Sequence, residues 1–126
     1  MDSESIAAAS AIELTKLYQK GDISPVKVVE TMLDRISILN PRINAFHHVS
    51  TEEALNEAIA SEKRWKEGRP SSSIDGVPTA IKDGLLMKGI PVYRGSIVNN
   101  SGEQQWDIDA PVVQHRNIQL QAFFKT

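Results

Sequence analysis

Apolar residues recur at helical intervals in three stretches of the chain. In the first, Ala11, Leu14, Leu17 and Tyr18 fall on one face. Ser10 and Glu13 have the spacing of a capping box, and Gly21 breaks the pattern, so a short helix is predicted between them. Ser24-Pro25 opens the second stretch: the serine hydroxyl can accept from a free helical amide, and proline at the first position gives up no needed donor. Val26, Val29, Leu33 and Ile36 then line one face, widened by Met32 and Leu39, with Asn40-Pro41 expected to end the helix. Ser50 and Glu53 repeat the capping spacing before a third helix, which turns Ala54, Leu55, Ala58 and Ile59 inward, runs as far as Trp65 and stops at Gly68.

Two apolar stretches lack helical spacing. Ile43 to Val49 reads as a strand. Val77 to Ile81, between Gly76 and Asp83, suits a strand buried on both faces, with Pro78 better placed at its start or on a sheet edge. Helices feeding a buried strand point to an α/β fold. Arg69 to Ser73 is a loop of Pro and Ser, and Gly84 to Gly102 is a longer, glycine-punctuated one; irregular stretches of that length are usually functional or poorly ordered. There is no internal repeat.

Composition narrows the function classes. With 126 residues, 40% hydrophobic and 24% charged, the chain has the make-up of one ordinary globular domain. Fourteen Lys and Arg against sixteen Asp and Glu leave a net charge of −2, mixed along the chain, which attracts neither nucleic acid nor an anionic membrane. The lack of cysteine removes disulfides, thiolate metal sites and a cysteine nucleophile, and suits a reducing compartment. The start has no basic region followed by a long apolar one, and no run approaches the roughly 20 apolar residues that span a bilayer. A cytoplasmic protein outside the membrane is expected.

Lys82 is the leading candidate for chemistry. It follows the apolar run directly and precedes Asp83-Gly84, so its ammonium can reach a site at the carboxyl edge of a strand. An ordinary lysine, with a pKa of about 10.4, is a poor base at neutral pH, but desolvation penalises the charged form and can make it a general base. Spacing alone leaves this reading open against a surface lysine paired with Asp83, the commoner arrangement. Other candidates are weaker. Ser71-Ser72-Ser73 has turn composition and reads as a solvated connection. His47 and His48 would point to opposite faces of a strand, and His115 has no ligand partner at helical spacing, so no metal site is expected. Trp65 and Trp106 read as packing residues.

Motifs in series decide between the readings of Lys82. Leu39-Asn40-Pro41-Arg42-Ile43-Asn44-Ala45-Phe46, Glu53-Ala54-Leu55, Gly76-Val77-Pro78-Thr79-Ala80-Ile81-Lys82-Asp83, Lys88-Gly89, Gly95-Ser96 and Asp109-Ala110-Pro111-Val112-Val113 stand in the order seen at the opening of the amidase signature family, which the segment from Ile12 to Val113 resembles. The resemblance implies a mixed sheet covered by helices, of which this chain holds the N-terminal helices and first strands. It makes Lys82 the lysine of a Ser-Ser-Lys triad that acts through a bridging serine on a nucleophilic serine, attacking an amide carbonyl to give an acyl-enzyme. Backbone amides of a Gly-Ser-rich segment supply the oxyanion hole in that family. The family carries both serines downstream of the lysine motif, and neither can be placed here; Ser96 resembles a loop-shaping position. No cofactor is implied, and the partner is a small-molecule amide substrate of the full-length family.

The expected organisation is a flexible N-terminus at 1–10, the N-terminal part of an amidase domain at 11–113, and a divergent tail at 114–126. The tail contains no glycine, departs from the family's pattern, and only faintly echoes its strand at Phe123-Phe124-Lys125-Thr126, as truncation or a frameshift would leave it. Read this way, the chain is an amide hydrolase cut before both serines and inactive alone. Two alternatives stay open: a non-catalytic interaction fragment associating with a homologous amidase chain, and a fragment of the A subunit of an aminoacyl-tRNA amidotransferase, which shares the motifs.

Overall fold

The computed structural model describes residues 1–95, 109–110 and the backbone of 123–125. Four helices and three short strands follow in the order α1 (Ser3–Ala8), α2 (Ala11–Lys20), α3 (Pro25–Ile43), β1 (His48–Val49), α4 (Thr51–Lys66), β2 (Thr79–Ile81) and β3 (Phe123–Lys125). Residues 1–10, expected as a flexible lead-in, carry α1. Asp2 caps it by accepting from the Ser5 N–H, and Ile6 is buried against Leu14, Tyr18 and Val28. Burial of one large apolar side chain, worth about 2 kcal/mol, is enough to dock so short a helix. In α2 the Ser10–Glu13 capping box forms in both directions, and Gly21 closes the helix at φ +76.

Ser24 and Pro25 open α3 as expected, but the helix passes through Pro41 and ends at Ile43, with Asn44 in the left-handed region. The reason lies in Asn40. Its side-chain amide donates to Phe46 O and accepts from Phe46 N, both at 2.8 Å, as a neighbouring strand would. That pairing fixes the chain's turn beyond Ile43, so the strand expected from Ile43 begins only at His48 and Ile43 is left 64% exposed. The capping box expected at α4 is absent: the Ser50 hydroxyl meets His48 Nε2 instead, at 3.0 Å. Ala54 and Ala58 are fully buried against Val29, whereas Ile59, expected inside, faces solvent. Alanines at this crossing let α3 and α4 approach closely, and Leu33, Ile36, Phe46, Val49 and Leu55 close the cluster.

The sheet order is β1-β3-β2, β3 antiparallel to β1 and parallel to β2. Phe123–Lys125, within the tail expected to diverge, is therefore the central described strand. Pro78 precedes β2, where its missing N–H costs no ladder bond. The expectation that β2 is buried on both faces needs correction: Ile81 is buried, but Ala80, on the other face, is exposed and lines the open cavity beside α3.

A polar node holds β2 to the helices. The Asp75 carboxylate, fully buried, accepts from Arg64 Nε and one terminal nitrogen at 2.7 Å each and from Ser71 N at 2.9 Å, while Trp65 Nε1 donates to Asp75 O at 3.0 Å. Gly76, at φ +83, passes so close to Pro25 and Ser61 that a Cβ there would lie 2.9 Å from Pro25 Cγ and 2.6 Å from Ser61 Oγ. Tyr18 donates its hydroxyl to Gly76 O at 3.0 Å. Every helix from α2 to α4 thus touches the two residues that launch the apolar run.

Candidate functional site

Lys82 follows β2 at its carboxyl end. Ile81, 4% exposed, anchors the strand by packing with Met87, Leu85, Ile90 and Ala110, and strand alternation turns the next residue the other way. Lys82 O accepts from Gly84 N and Leu85 N, at 2.8 and 3.1 Å, which makes a tight turn of the segment after it. Residues 109–110 hold that turn from outside: Lys88 N donates to Asp109 Oδ1 at 2.7 Å, and Ala110 N to Leu86 O at 2.9 Å. The Lys88-Gly89 and Asp109-Ala110 motifs, distant in sequence, serve one local structure.

The Lys82 side chain is exposed and lines a cleft of about 550 Å³. Asn44, Ala45 and His47 form part of its wall, with residues 82–84 and 93–95 forming the rest. Asp83, its side chain 9% exposed, accepts from Tyr93 N at 3.0 Å and lies 3.2 Å from His47 Nε2. The His47 ring meets the Tyr93 ring edge-on, with centroids 4.9 Å apart and planes at 82°. These contacts tie the segment after α3 to the loop after β2. They also commit the Asp83 carboxylate away from Lys82: among the described residues, no acidic group pairs with that lysine. The Arg94-Gly95 pair closes the cleft with both residues in the left-handed region, at φ 54 and 68.

The other candidates fall outside this cleft. Ser71 and Ser72 serve the Asp75 loop, Ser72 Oγ accepting from Ile74 N. His48 Nε2 meets the Ser50 hydroxyl at 3.0 Å, whereas His47, which lies before β1, meets Asp83. Trp65 packs against Tyr18, ring centroids 5.9 Å apart. Ser96, Trp106 and His115 lie outside the described residues. Among the described residues no group of three or more His, Asp or Glu side chains could hold a metal ion, and no helix is long and apolar enough to cross a membrane. A separate cavity of about 460 Å³ between α3 and residues 77–80 is lined mainly by apolar side chains, among them Met32, Ile36, Leu39 and Phe46; Arg35 is its one charged lining residue, which makes it a poor place for proton transfer.

The sequence profile described as Amidase matches residues 27–115, well over half of the chain and the whole of the cleft. The chain belongs to the amidase family. The A subunit of a glutamyl-tRNA(Gln) amidotransferase from Salinispora tropica is 43% identical over 91 residues, which cover 72% of this chain and 18% of that protein. An indoleacetamide hydrolase of Bradyrhizobium diazoefficiens is 35% identical over 106 residues, covering 84% of this chain and 20% of that one. This amidase-family chain thus spans about a fifth of the length of the curated relatives it matches. Among solved structures, a bacterial aryl acylamidase of the amidase signature family superposes with a TM-score of 0.81 at 28% identity, over 93% of this chain and 24% of that one. Fatty acid amide hydrolase gives 0.84 at 20% identity, over 97% and 21%, which speaks for the shared fold.

Sequence reasoning singles out Lys82 and the motifs around it but misses how the cleft is built. It weighs His47 only as a metal ligand, and rejects it as one, and Asp83 only as a partner for Lys82, although each braces the other. It gives Arg94 no role.

Proposed function

We propose that this chain supplies the base of an amide-hydrolysing Ser-Ser-Lys triad, and that Lys82 is that base. The observation carrying the proposal is that Lys82, inside the matched segment, stands at the carboxyl end of β2 over an open cleft with no described carboxylate held against it. A lysine kept from ion pairing can give up its proton once the site is covered and dry, and can then draw a proton through a bridging serine from the serine nucleophile. By the resemblance, both serines of the triad stand downstream of the matched segment, so Lys82 works with groups that residues 27–115 do not supply. The names of an indoleacetamide hydrolase and an aryl acylamidase among its relatives support the carbon–nitrogen bond of a small amide as the target. A sequence free of cysteine supports the cytoplasm as its compartment.

The test is a transplant. Residues 27–115 replace the matching segment of the indoleacetamide hydrolase, and hydrolysis of indoleacetamide is followed with Lys82 and with Lys82→Ala. Loss of at least about a thousandfold in kcat/KM is expected for removal of a proton-transfer group on which a nucleophile depends. Full activity in the alanine variant would refute the assignment.

A second reading is favoured by the Salinispora tropica amidotransferase chain, 43% identical over its match. In it the same lysine serves the A subunit of an amidotransferase; association with a homologous amidase chain, as a non-catalytic fragment, is a separate alternative. Two measurements separate the readings. One is size-exclusion chromatography with a full-length amidase; the other is a transplant into the Salinispora chain, assayed with glutamine in place of indoleacetamide.

A further inference from the structure

We infer that Arg94 makes this cleft selective for amides that also carry a carboxylate. The inference rests on reading the cleft as the amide site and adds its substrate class. Lys82 and Arg94 line one cleft, and among the described residues neither has an acidic partner. The cleft's own carboxylate, Asp83, is largely buried and spent on Tyr93 N and His47. A concave wall whose guanidinium has no acidic partner among the described residues focuses positive potential inward, so an anion is attracted where a neutral group is not. The planar guanidinium offers a carboxylate two parallel donors, a geometry that lysine cannot supply.

Backbone conformation supports the same assignment. Arg94 sits at φ 54, a region that favours glycine, and Gly95 follows at φ 68. A bulky side chain kept in an unfavourable backbone conformation at the rim of a site points to a use for that side chain. With Lys82 serving the amide end, a group held by Arg94 belongs to the far end of the same small molecule.

The probes are succinamate, an amide with a carboxylate, succinamide, nearly isosteric but uncharged, and acetate, charged but without the amide. Each is titrated into the full 15N-labelled chain, with the amide shifts of Gly84, Tyr93 and Gly95 as readout. Succinamate is expected to bind about tenfold more tightly than succinamide at low salt, the size of one charge-assisted hydrogen-bonded contact, and to lose that lead at high salt. Arg94→Gln, which retains the strained backbone demand, should bring the two to parity; Arg94→Lys should restore only part of the lead. Equal binding in the unaltered chain, a lead that survives Arg94→Gln, or acetate binding as well as succinamate would each overturn the inference. Failure of the Lys82 assignment shows elsewhere, as undiminished hydrolysis by the Lys82→Ala transplant.

Discussion

Arg64 on α4 grips the carboxylate of Asp75, eleven residues on, with two hydrogen bonds of 2.7 Å, and the carboxylate is wholly shielded from solvent. The two partners are unequal: the Arg64 side chain keeps 29% of its surface exposed and can find water if the pair is broken, whereas Asp75 cannot. Arg64→Ala is therefore expected to cost about 3–5 kcal/mol, the range for stranding a buried charge. Asp75→Asn should cost less, and the double variant less than the sum of the two singles. Urea unfolding of the four proteins measures the asymmetry.

Acid should weaken the same pair. Burial pushes the Asp75 carboxyl up, but the Arg64 hydrogen bonds, the Ser71 N–H and the guanidinium charge outweigh it and leave the group below the usual carboxylate range. A carboxyl depressed on folding adds stability above its unfolded value of about 3.9, and that stability is lost as pH falls through the lower folded value. Unfolding free energy is expected to drop between about pH 5 and pH 2, with a visibly shallower drop in Asp75→Asn. Equal slopes would show that other carboxyls dominate.

At the other end of the scale, Tyr18 should matter in alkali. Burial first, and the nearby Asp75 charge second, raise its phenol well above the ordinary value, and its hydroxyl donates to Gly76 O. A group whose folded value is raised gives full stability below the unfolded value, about 10, and loses it as pH rises toward the folded one. Tyr18→Phe removes a buried donor and should cost about 1 kcal/mol at neutral pH, leaving Gly76 O unsatisfied. Above about pH 10 the variant should lose stability more slowly than the parent protein, which paired urea titrations at about pH 8 and pH 11 would reveal.

Glycine in the Gly-Val-Pro motif is explained by space as well as by φ, and that distinction is testable. Gly21, Gly68 and Gly76 all have positive φ, but only Gly76 of the three has neighbours where a Cβ would fall. Alanine at Gly21 or Gly68 should cost about 1–2 kcal/mol for the left-handed backbone. At Gly76 the overlap with Pro25 and Ser61 adds about 1–3 kcal/mol of overpacking. Ser61→Ala in the Gly76→Ala background should recover part of that, since one of the close contacts is the serine oxygen.

These positions show what is legible in the sequence and what is not. The capping box at Ser10 and the Ser24-Pro25 start are local: each involves residues within one turn, and each forms as expected. The same local logic misleads where a distant partner competes. Pro41 has the look of a stop, but a proline in a last helical turn removes one bond, and Asn40 compensates by pairing with Phe46. Ser50 has the spacing of a cap and bonds to a histidine instead. Phe123–Lys125 carries no pattern of its own, because three residues cannot display one; its strand comes from edges supplied by β1 and β2. At the site, Lys82 is legible through its motif, whereas the contact of His47 with Asp83 joins residues from separate segments at no characteristic spacing.

Lys82→Ala should separate function from folding. The side chain is exposed, makes no ion pair among the described residues, and follows a strand whose anchoring is done by Ile81. Removing it should shift the unfolding free energy by no more than about 0.5 kcal/mol, as for surface positions generally. Ile81→Ala, one residue earlier, should cost about 2–5 kcal/mol by opening a cavity beside Met87. A lysine that can be removed without loss of stability, yet whose removal silences the transplanted hydrolase, is kept for chemistry. If Lys82→Ala instead destabilises the chain by as much as Ile81→Ala, the lysine holds the turn after β2, and the case for a base at this position is lost.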